Sequence, residues 1–412
     1  MVPLASLVDI AFLGHLVEID YLAGVALAAV LFKYLYWTFG FLRMATTGLT
    51  AQAQGQGDSE TVWLILLRNL LVACGIGLLI LTLQDPLRKL GFWLLSATPE
   101  VKAAGVAYYN ALIWGAPATL MNFVFLGWFL GREQGGRVFL LSLIVNISNV
   151  VFNYWFIVRW DLASAGAGWG TALSQYLMLF TGLFFLAQEQ AFGQFQQAIP
   201  RLWDQTALRV SFALNLNILI RTFALTTVFA LFTNFSSALG TEVLATNALL
   251  LEAVTLSAYF LDGLAFATES LAGSFQGKAS PGELAWLARW SGGWSLGLGL
   301  GLALLFISAP ESLFRLLTDH EDVIAGVQQY VLWLLPILGF GSLAFMLDGY
   351  FLGLTAGKIL RQGTVIAAVI SSIPMVLGAK VIPNPHLLWF ALAVFMFFRM
   401  VTLGIRLPAT WR

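Results

Sequence analysis

A carboxylate interrupts the first apolar run of the sequence. Asp9 lies in the stretch VPLASLVDIAFLGHL, residues 2–16. An ionisable side chain inside a membrane-spanning segment costs about 2.5 to 3.5 kcal/mol on insertion scales, so such a residue usually faces a cavity or a partner and marks a transport pathway. We therefore take Asp9 as the first candidate site residue and interpret the rest of the chain as its scaffold.

Uncharged polar side chains recur in the first half at a depth similar to that of Asp9. Asn149 and Asn153 are four residues apart in one apolar segment, so they share a helix face. At helical rise, Asp9, Asn153 and Thr171 each lie about 8 to 9 Å from the outer ends of their segments. Two interpretations are open: the four residues form a proton or cation site, with sodium binding at Asp9 as one form, or the amides satisfy a buried acid.

The second half carries a different set of polar residues inside apolar segments. These are Arg221, Glu252, Asp262, Glu269 and Asp348, which together form a candidate site. Asp262 and Glu269 are seven residues apart and share a helix face. Glu252 matches Arg221 in depth better than Asp262 does, so an Arg221–Glu252 ion pair is the structural alternative. Such a pair can be neutral for stability and yet damaging to break.

The motifs of several enzyme classes are missing from the sequence. Lys278 follows a glycine, but Ala272 stands where a Walker A loop needs its first glycine, so nucleotide hydrolysis is not expected. The three histidines lack HExxH spacing, and Cys74 is the one cysteine, so no metal site is expected. We therefore predict a protein that is not an enzyme, binds no cofactor or metal, and draws any pumping energy from an ion gradient.

Composition identifies the broad class. Hydrophobic residues make up 59% of the 412 residues and charged residues 10%, where a soluble domain has about 25%. The net charge of zero gives no support for a nucleic-acid surface. The sequence therefore predicts an all-α polytopic membrane protein embedded in the lipid bilayer. Twelve spans are predicted, at about residues 2–14, 23–50, 61–83, 103–130, 138–158, 166–187, 208–233, 242–275, 285–309, 325–353, 360–380 and 387–407.

The first predicted span is too short to cross a bilayer alone. Thirteen residues cover about 20 Å of a hydrocarbon core that is about 30 Å thick. We therefore expect this helix to be truncated, with roughly a dozen residues missing from the amino end.

Orientation follows from the basic residues of the connecting loops. With both termini in the cytoplasm, the inner loops hold more Lys and Arg residues than the outer loops do. We therefore expect a multi-pass protein of the plasma (inner) membrane with both termini cytoplasmic.

An internal repeat relates the two halves. Residues 127–135 read GWFLGREQG and residues 349–357 read GYFLGLTAG, an offset of 222. The Gln-Gly pairs at 56–57 and 276–277 match at an offset of 220, which predicts a two-residue slip inside the preceding spans. Because each half holds six spans, an even number, the halves are parallel repeats, and a central cavity is expected between them.

The predicted organisation is two six-helix lobes joined by a linker. The amino-terminal lobe is 1–187 with helices 1–6, the cytoplasmic linker is 188–207, and the carboxy-terminal lobe is 208–412 with helices 7–12. The linker is the longest polar connection in the sequence.

Three motifs resemble those of one transporter family. Residues 9–16, DIAFLGHL, resemble the first-helix motif of the multidrug and toxic compound extrusion (MATE) transporters. Residues 259–273, YFLDGLAFATESLAG, and 346–353, MLDGYFLG, resemble signatures of its DinF branch. The resemblance covers essentially the whole chain. It implies a twelve-helix, two-lobed exporter with a central cavity, driven by inward proton or sodium flow.

The same resemblance implies roles for particular residues. Asp9 would be the cation-coupled carboxylate of the amino-terminal lobe, with Asn149 and Thr171 around it. This chain departs from the family pattern at Asn153, where many DinF-like members have an aspartate. Protons are favoured over sodium because only one carboxylate is then present to neutralise a bound cation.

We therefore hypothesise a monomeric secondary active exporter that moves amphipathic or cationic small molecules by alternating access. One alternative is export of an endogenous metabolite such as an organic acid, and another is a flippase for lipid-linked precursors. A flippase needs a strongly cationic cavity, for which the candidates are Lys33, Arg43, Arg221 and Arg399. A channel or receptor, the alternative from another class, would not need a titratable site buried in each half.

Overall fold

A computed structural model describes residues 19–95, 97–189, 201–315 and 320–411. This part of the chain is nearly all helical, and eleven of its helical segments are long and apolar enough to cross a membrane. The prediction of an all-α polytopic membrane protein is therefore confirmed. The predicted first span, 2–14, and its Asp9 lie outside the described residues.

The first half contains eight helices and the second half another eight within the described residues. In the first half these are α1 (Ile19–Thr38), α2 (Phe41–Gly55), α3 (Ser59–Thr82), α4 (Gln84–Leu94), α5 (Pro99–Leu112), α6 (Ala116–Gly131), α7 (Gly135–Asn153) and α8 (Ala163–Gln188). In the second half these are α9 (Gln205–Ala238), α10 (Thr241–Gly277), α11 (Pro281–Ser308), α12 (Pro310–Phe314), α13 (Glu321–Tyr330), α14 (Leu334–Gly353), α15 (Gly357–Val376) and α16 (Pro385–Gly404).

Short irregular helices join or extend several of these elements. A 3₁₀ turn at Ile113–Gly115 connects α5 to α6, and another at Val331–Trp333 connects α13 to α14. A π-helix, Tyr154–Arg159, follows α7, and a second, Leu377–Val381, follows α15. A 3₁₀ turn and a π-helix thus occur in the same order in both halves, and a further 3₁₀ helix, Leu407–Trp411, follows α16.

Local sequence explains where several helices begin. Asp58 caps α3, since its carboxylate accepts hydrogen bonds from the backbone N–H of Thr61 at 2.9 Å and from its hydroxyl at 2.6 Å. These two bonds hold the pKa of Asp58 below its usual range. Thr98 caps α5, whose first residue is a proline, and Pro281 begins α11 in the same way.

Helix boundaries recur at an offset of 222 residues. The matching boundaries are the ends at Gly55 and Gly277 and at Gly131 and Gly353, and the starts at Ser59 and Pro281 and at Gly135 and Gly357. Two residues with left-handed backbone, Glu133 at φ 59° and Thr355 at φ 53°, have the same separation. The repeat seen in the sequence is thus a repeat of helix lengths and turns.

The predicted two-residue slip is wrong. Gly57, at φ 73°, corresponds to Ala279, at φ 52°, and these left-handed residues lie 222 positions apart. Gly277 instead ends α10, as Gly55 ends α2. The identical Gln-Gly letters at 56–57 and 276–277 therefore occupy different positions of the same turn.

The chain divides into two compact units. Of the described residues, those up to Thr50 and those in 58–205 form the first unit, and those in 51–57 and 206–411 form the second. Contacts at the end of α2 explain the assignment of 51–57. A Cβ atom on Gly55 would lie 2.1 Å from the Ser274 carbonyl oxygen in α10, so the two backbones touch there.

In the core of each unit, a buried tryptophan donates a hydrogen bond from its indole N–H group. In the first unit, the indole N–H of Trp128 donates to the carbonyl of Val62 at 3.0 Å. In the second unit, the indole N–H of Trp389 donates to Oδ1 of Asn247 at 2.8 Å, and the Asn247 amide donates to the hydroxyl of Ser236 at 2.8 Å. Buried hydrogen bonds of this kind fix how the helices pack.

Candidate functional site

The first unit contains a chain of buried amide and hydroxyl groups, which we call the amide site: Asn149, Asn153 and Thr171. The Nδ2 atom of Asn153 donates to Oδ1 of Asn149 at 3.2 Å, and the Nδ2 atom of Asn149 donates to Oγ1 of Thr171 at 3.0 Å. Asn149 and Asn153 are 1% and 0% exposed. The hydrogen-bonded chain thus runs from α7 to α8 inside the unit.

Helical periodicity and small residues create the amide site. Asn149 and Asn153 are one turn apart, and both point toward α8. Helix α8 begins with the glycine-rich sequence ASAGAGWG. An added Cβ atom on Gly166 would lie 3.0 Å from backbone of the π-helix, and one on Gly168 would lie 2.6 Å from the Tyr108 carbonyl oxygen in α5. Glycine therefore lets α8 approach neighbours on two sides.

The structure brings three of the four predicted first-half residues together. The predicted shared face of Asn149 and Asn153 is confirmed by their direct hydrogen bond. Thr171, predicted at the same depth, completes the chain. Asp9, the predicted carboxylate, lies outside the described residues.

The chemistry of the amide site is that of neutral oxygens and polar hydrogens. Amide and hydroxyl oxygens can ligate a small cation, and amide N–H groups can donate to a carboxylate and favour its charged form. None of its three residues carries a charge. The amide site therefore cannot neutralise a cation by itself and needs a carboxylate to do so.

The second unit contains a buried charged cluster, which we call the arginine cluster: Arg221, Asp348 and Arg399. The guanidinium groups of Arg221 and Arg399 both donate to the same oxygen, Oδ2 of Asp348. The three residues are 6%, 3% and 0% exposed, and they come from α9, α14 and α16. Two cations therefore share one anion.

Arg399 has further partners that hold its guanidinium in place. Its Cζ atom lies 5.2 Å from the ring centroid of Phe345 and 5.4 Å from that of Phe395. Its Nη1 atom lies 3.4 Å from the sulfur of Met396. Aromatic faces and a polarisable sulfur are favourable surroundings for a guanidinium that has left water.

The predicted Arg221–Glu252 pair is wrong. Glu252 is exposed, and the acid that binds Arg221 is Asp348. The prediction compared depth along the helices and ignored direction around them. Leu250 and Val254 lie on the buried face of α10, and Glu252, two positions from each, points about 160° away from both.

The other predicted acids of the second unit have different environments. Glu269 is fully buried in α10, and Asp262, about two turns earlier, is half-buried. Asp262 lies near enough to Arg399 to interact with it electrostatically. The sequence alone indicates Arg399 only as a candidate cavity cation. Its position in the apolar run ALAVFMFFRMV was the available signal, because an arginine inside a span requires a partner.

The two clusters are not copies of each other. At the repeat offset, Asn149, Asn153 and Thr171 correspond to Ser371, Met375 and Ala393, and Asp348 and Arg399 correspond to Leu126 and Leu177. Each unit therefore has its own polar chemistry on a repeated helical scaffold.

Comparisons with known proteins agree with this architecture. The MatE family model matches residues 1–155 and 218–379. The DNA damage-inducible protein F (DinF) of Escherichia coli is 32% identical over 414 residues, which cover 100% of this chain and 88% of that protein. Protein DETOXIFICATION 44, chloroplastic, of Arabidopsis thaliana is 25% identical over 98% of this chain and 78% of its own.

Solved structures show the same fold at low sequence identity. A MATE protein in complex with MaL6 superposes with a TM-score of 0.88 at 17% identity and covers 99% of this chain and 92% of its own. A MOP superfamily transporter from Pyrococcus furiosus superposes with a TM-score of 0.87 at 16% identity and covers 100% of this chain and 93% of its own. The family match over most of the sequence and the full-length similarity to DinF show that this chain belongs to the MatE family, whose members are membrane transporters and not enzymes.

Proposed function

We propose that this protein is a secondary active exporter that moves organic compounds out of the cell in exchange for protons, by alternating access of its two halves. Family membership supports export. A probable multidrug resistance protein NorM from Acinetobacter baylyi is 29% identical over 46% of this chain and 43% of its own. The observation that carries the coupling proposal is the buried hydrogen-bonded amide site in the first unit.

The coupling site would consist of Asp9 and the amide site. Its three described members are neutral, so Asp9 would supply the titratable charge. Protons suit this set better than sodium, because neutral oxygens alone do not neutralise a metal cation. Asn153 has an amide where a second carboxylate could stand, so Asp9 would be the one acid of the site. Sodium coupling is the competing form of the same proposal, and it would use the amide and hydroxyl oxygens as ligands.

The membrane placement is part of the proposal. The excess of Lys and Arg in alternate loops favours cytoplasmic termini in the plasma (inner) membrane. The substrates would be amphipathic or cationic small molecules, and a monomer would suffice because both halves lie in one chain.

The test is dye transport by purified protein in proteoliposomes with an imposed pH gradient, with and without sodium. With ethidium as the organic cation, we expect transport that follows the proton gradient and is lost in Asp9→Asn. Asp322→Asn, an exposed acid at the start of α13, is the matched control and should transport as wild type. Normal ethidium transport by Asp9→Asn at equal protein amount would reject the coupling assignment, and a strict sodium requirement would reject protons.

Export of organic acids is a second candidate, and the arginine cluster is the observation that favours it. Within the arginine cluster, two buried guanidiniums face one carboxylate, a net charge of one positive unit that the nearby Asp262 offsets in part. Such a field attracts anions and repels cations. Transport of carboxyfluorescein, unaffected by excess ethidium, would favour the organic acid.

A flippase for lipid-linked precursors has less support. Of its four candidate cavity cations, Arg221 and Arg399 share Asp348, so their cluster carries one net positive charge and falls short of the strongly cationic cavity that a flippase needs. Lys33 lies over the ring of Trp37 at 5.2 Å. Failure of fluorescent lipid to change leaflet in the same proteoliposomes would remove this alternative.

A further inference from the structure

The start of α8 has a glycine at the point where the amide site meets its backbone. A Cβ atom built on Gly170 would lie 2.1 Å from Oδ1 of Asn153, 3.2 Å from its Cγ atom and 3.2 Å from its backbone nitrogen. Contacts below 3.0 Å between a Cβ atom and another heavy atom do not persist in proteins, so one of the two groups would have to move. Asn153 is 0% exposed, so it has no solvent-filled space to move into.

Movement of Asn153 would spread through the amide site. Its Nδ2 atom donates to Asn149, which in turn donates to Thr171, the residue next to Gly170. A side chain at position 170 would therefore change the orientation of the first amide and, through it, the second amide and the hydroxyl. Hydrogen-bonded networks with buried members respond as a unit in this way.

The second unit provides an internal comparison. At the repeat offset, Gly170 corresponds to Leu392 and Asn153 corresponds to Met375, and both of these residues are buried. Helices α15 and α16, which carry them, still pack against each other, as α7 and α8 do. The repeated scaffold therefore accepts a large side chain at this position when its opposite residue is apolar. The contact that requires glycine is therefore the one with the amide oxygen, since the 3.2 Å contact with the α7 backbone needs a shift of only a few tenths of an ångström.

We propose that Gly170 is a positioning residue of the coupling site: because it lacks a side chain, the Asn153 amide can lie against α8 in the orientation that sets the ion affinity of the site. This inference rests on the proposed function, since it assigns Gly170 to the same site. Gly170 acts through Asn153 and touches no ion itself.

The test compares four variants in ethidium-transporting proteoliposomes: Gly170→Ala, Asn153→Ala, the double variant, and Gly75→Ala as control. Gly75 lies in α3 of the same unit, and a Cβ atom there would meet nothing within 4 Å. We expect Gly170→Ala and Asn153→Ala to shift the pH midpoint of transport in the same direction by about one unit, a tenfold change in apparent proton affinity. The double variant should shift no further, and Gly75→Ala should match wild type.

Each outcome separates the positioning role from a purely structural one. Suppose that Gly170→Ala lowers thermal stability but keeps the wild-type pH midpoint of transport, while Asn153→Ala shifts that midpoint. This result would overturn the inference. Wild-type midpoints in both Gly170→Ala and Asn153→Ala would overturn the inference together with the proposed coupling site.

Folding itself gives a second measurement if Gly170→Ala is not recovered. Truncation of Asn153 removes the clashing oxygen, so the double variant should then fold. A double variant that also fails to fold would show that α8 needs this glycine for another reason, and the inference would be wrong.

Discussion

The arginine cluster makes an ordered prediction about stability. Asp348 accepts hydrogen bonds from two buried guanidiniums, so Asp348→Ala leaves both cations without this carboxylate. Removal of one member of a buried ion pair costs about 3 to 5 kcal/mol, because the remaining charge has lost its solvation. With two cations affected, the free energy of unfolding should fall by at least that amount.

Loss of either arginine should cost less than loss of Asp348. Arg221→Met or Arg399→Met leaves one cation with one anion and removes the repulsion between the two guanidiniums. The cost is one charge-assisted hydrogen bond, about 1.5 to 3 kcal/mol, reduced by the relief of that repulsion. The triple variant, with Asp348→Ala and both arginines changed to Met, has no buried charge in the cluster and should regain much of the lost stability.

The assay is equilibrium unfolding in mixed micelles with increasing sodium dodecyl sulfate, followed by tryptophan fluorescence. The expected order of stability is wild type, then either Arg→Met variant, then Asp348→Ala, with the triple variant above Asp348→Ala. Glu252→Ala is the control, and it should unfold as wild type because its side chain is exposed and forms no part of the cluster. An Arg221→Met variant less stable than Asp348→Ala would refute the shared-anion reasoning.

Three further predictions concern packing, capping and coupling. Gly277→Ala should destabilise the protein in the same unfolding assay, because its Cβ atom would lie 2.2 Å from a backbone oxygen of α2, whereas Gly263→Ala in the same helix meets nothing within 4 Å and should be neutral. Asp58→Ala should lower stability at pH 7 by about 1 kcal/mol. Because the pKa of Asp58 is lowered in the folded state, the charge-dependent part of this difference should be present above its ordinary pKa of 3.8 and be lost as pH falls through the lowered pKa, which thermal unfolding over a series of pH values below 7 would reveal. Asn153→Asp should raise the pH midpoint of proteoliposome transport, since a second carboxylate would make the pair hold a proton more tightly, and an unchanged midpoint would contradict a site shared with Asp9.

Sequence reasoning located the spans well because a bilayer imposes a simple rule. Every buried backbone group must be paired within its own segment, so long apolar runs have to be helices. The predicted segments 138–158 and 285–309 lie within a few residues of the observed Gly135–Arg159 and Pro281–Ser308. The amide stripe was also predictable, because spacing of four residues fixes a shared face.

Contacts between side chains of different helices were less predictable, because they depend on the direction around the helix axis as well as on depth in the membrane. Arg221 could be matched to an acid at similar depth, but the direction in which Glu252 points depends on the rotation of α10 in the packed unit. The same limit hid Arg399, whose contact with Asp348 joins positions 51 residues apart. Gly170 gave no signal at all, since its role appears only when α7 and α8 are close enough for a Cβ atom to collide.

The repeat explains why these two sets of residues can differ so completely. A duplicated scaffold fixes helix lengths and turns, as the left-handed residues Glu133 and Thr355 show. It does not fix the buried side chains, provided that each layer is filled and each polar atom finds a partner. The first unit fills its layer between α7 and α8 with amides and a glycine, and the second fills the equivalent layer with Met375 and Leu392. A titratable exchange site requires a polar layer that water or an ion can enter, whereas an apolar layer serves only packing. We therefore place the proposed coupling chemistry in the first unit, where the layer between α7 and α8 is polar.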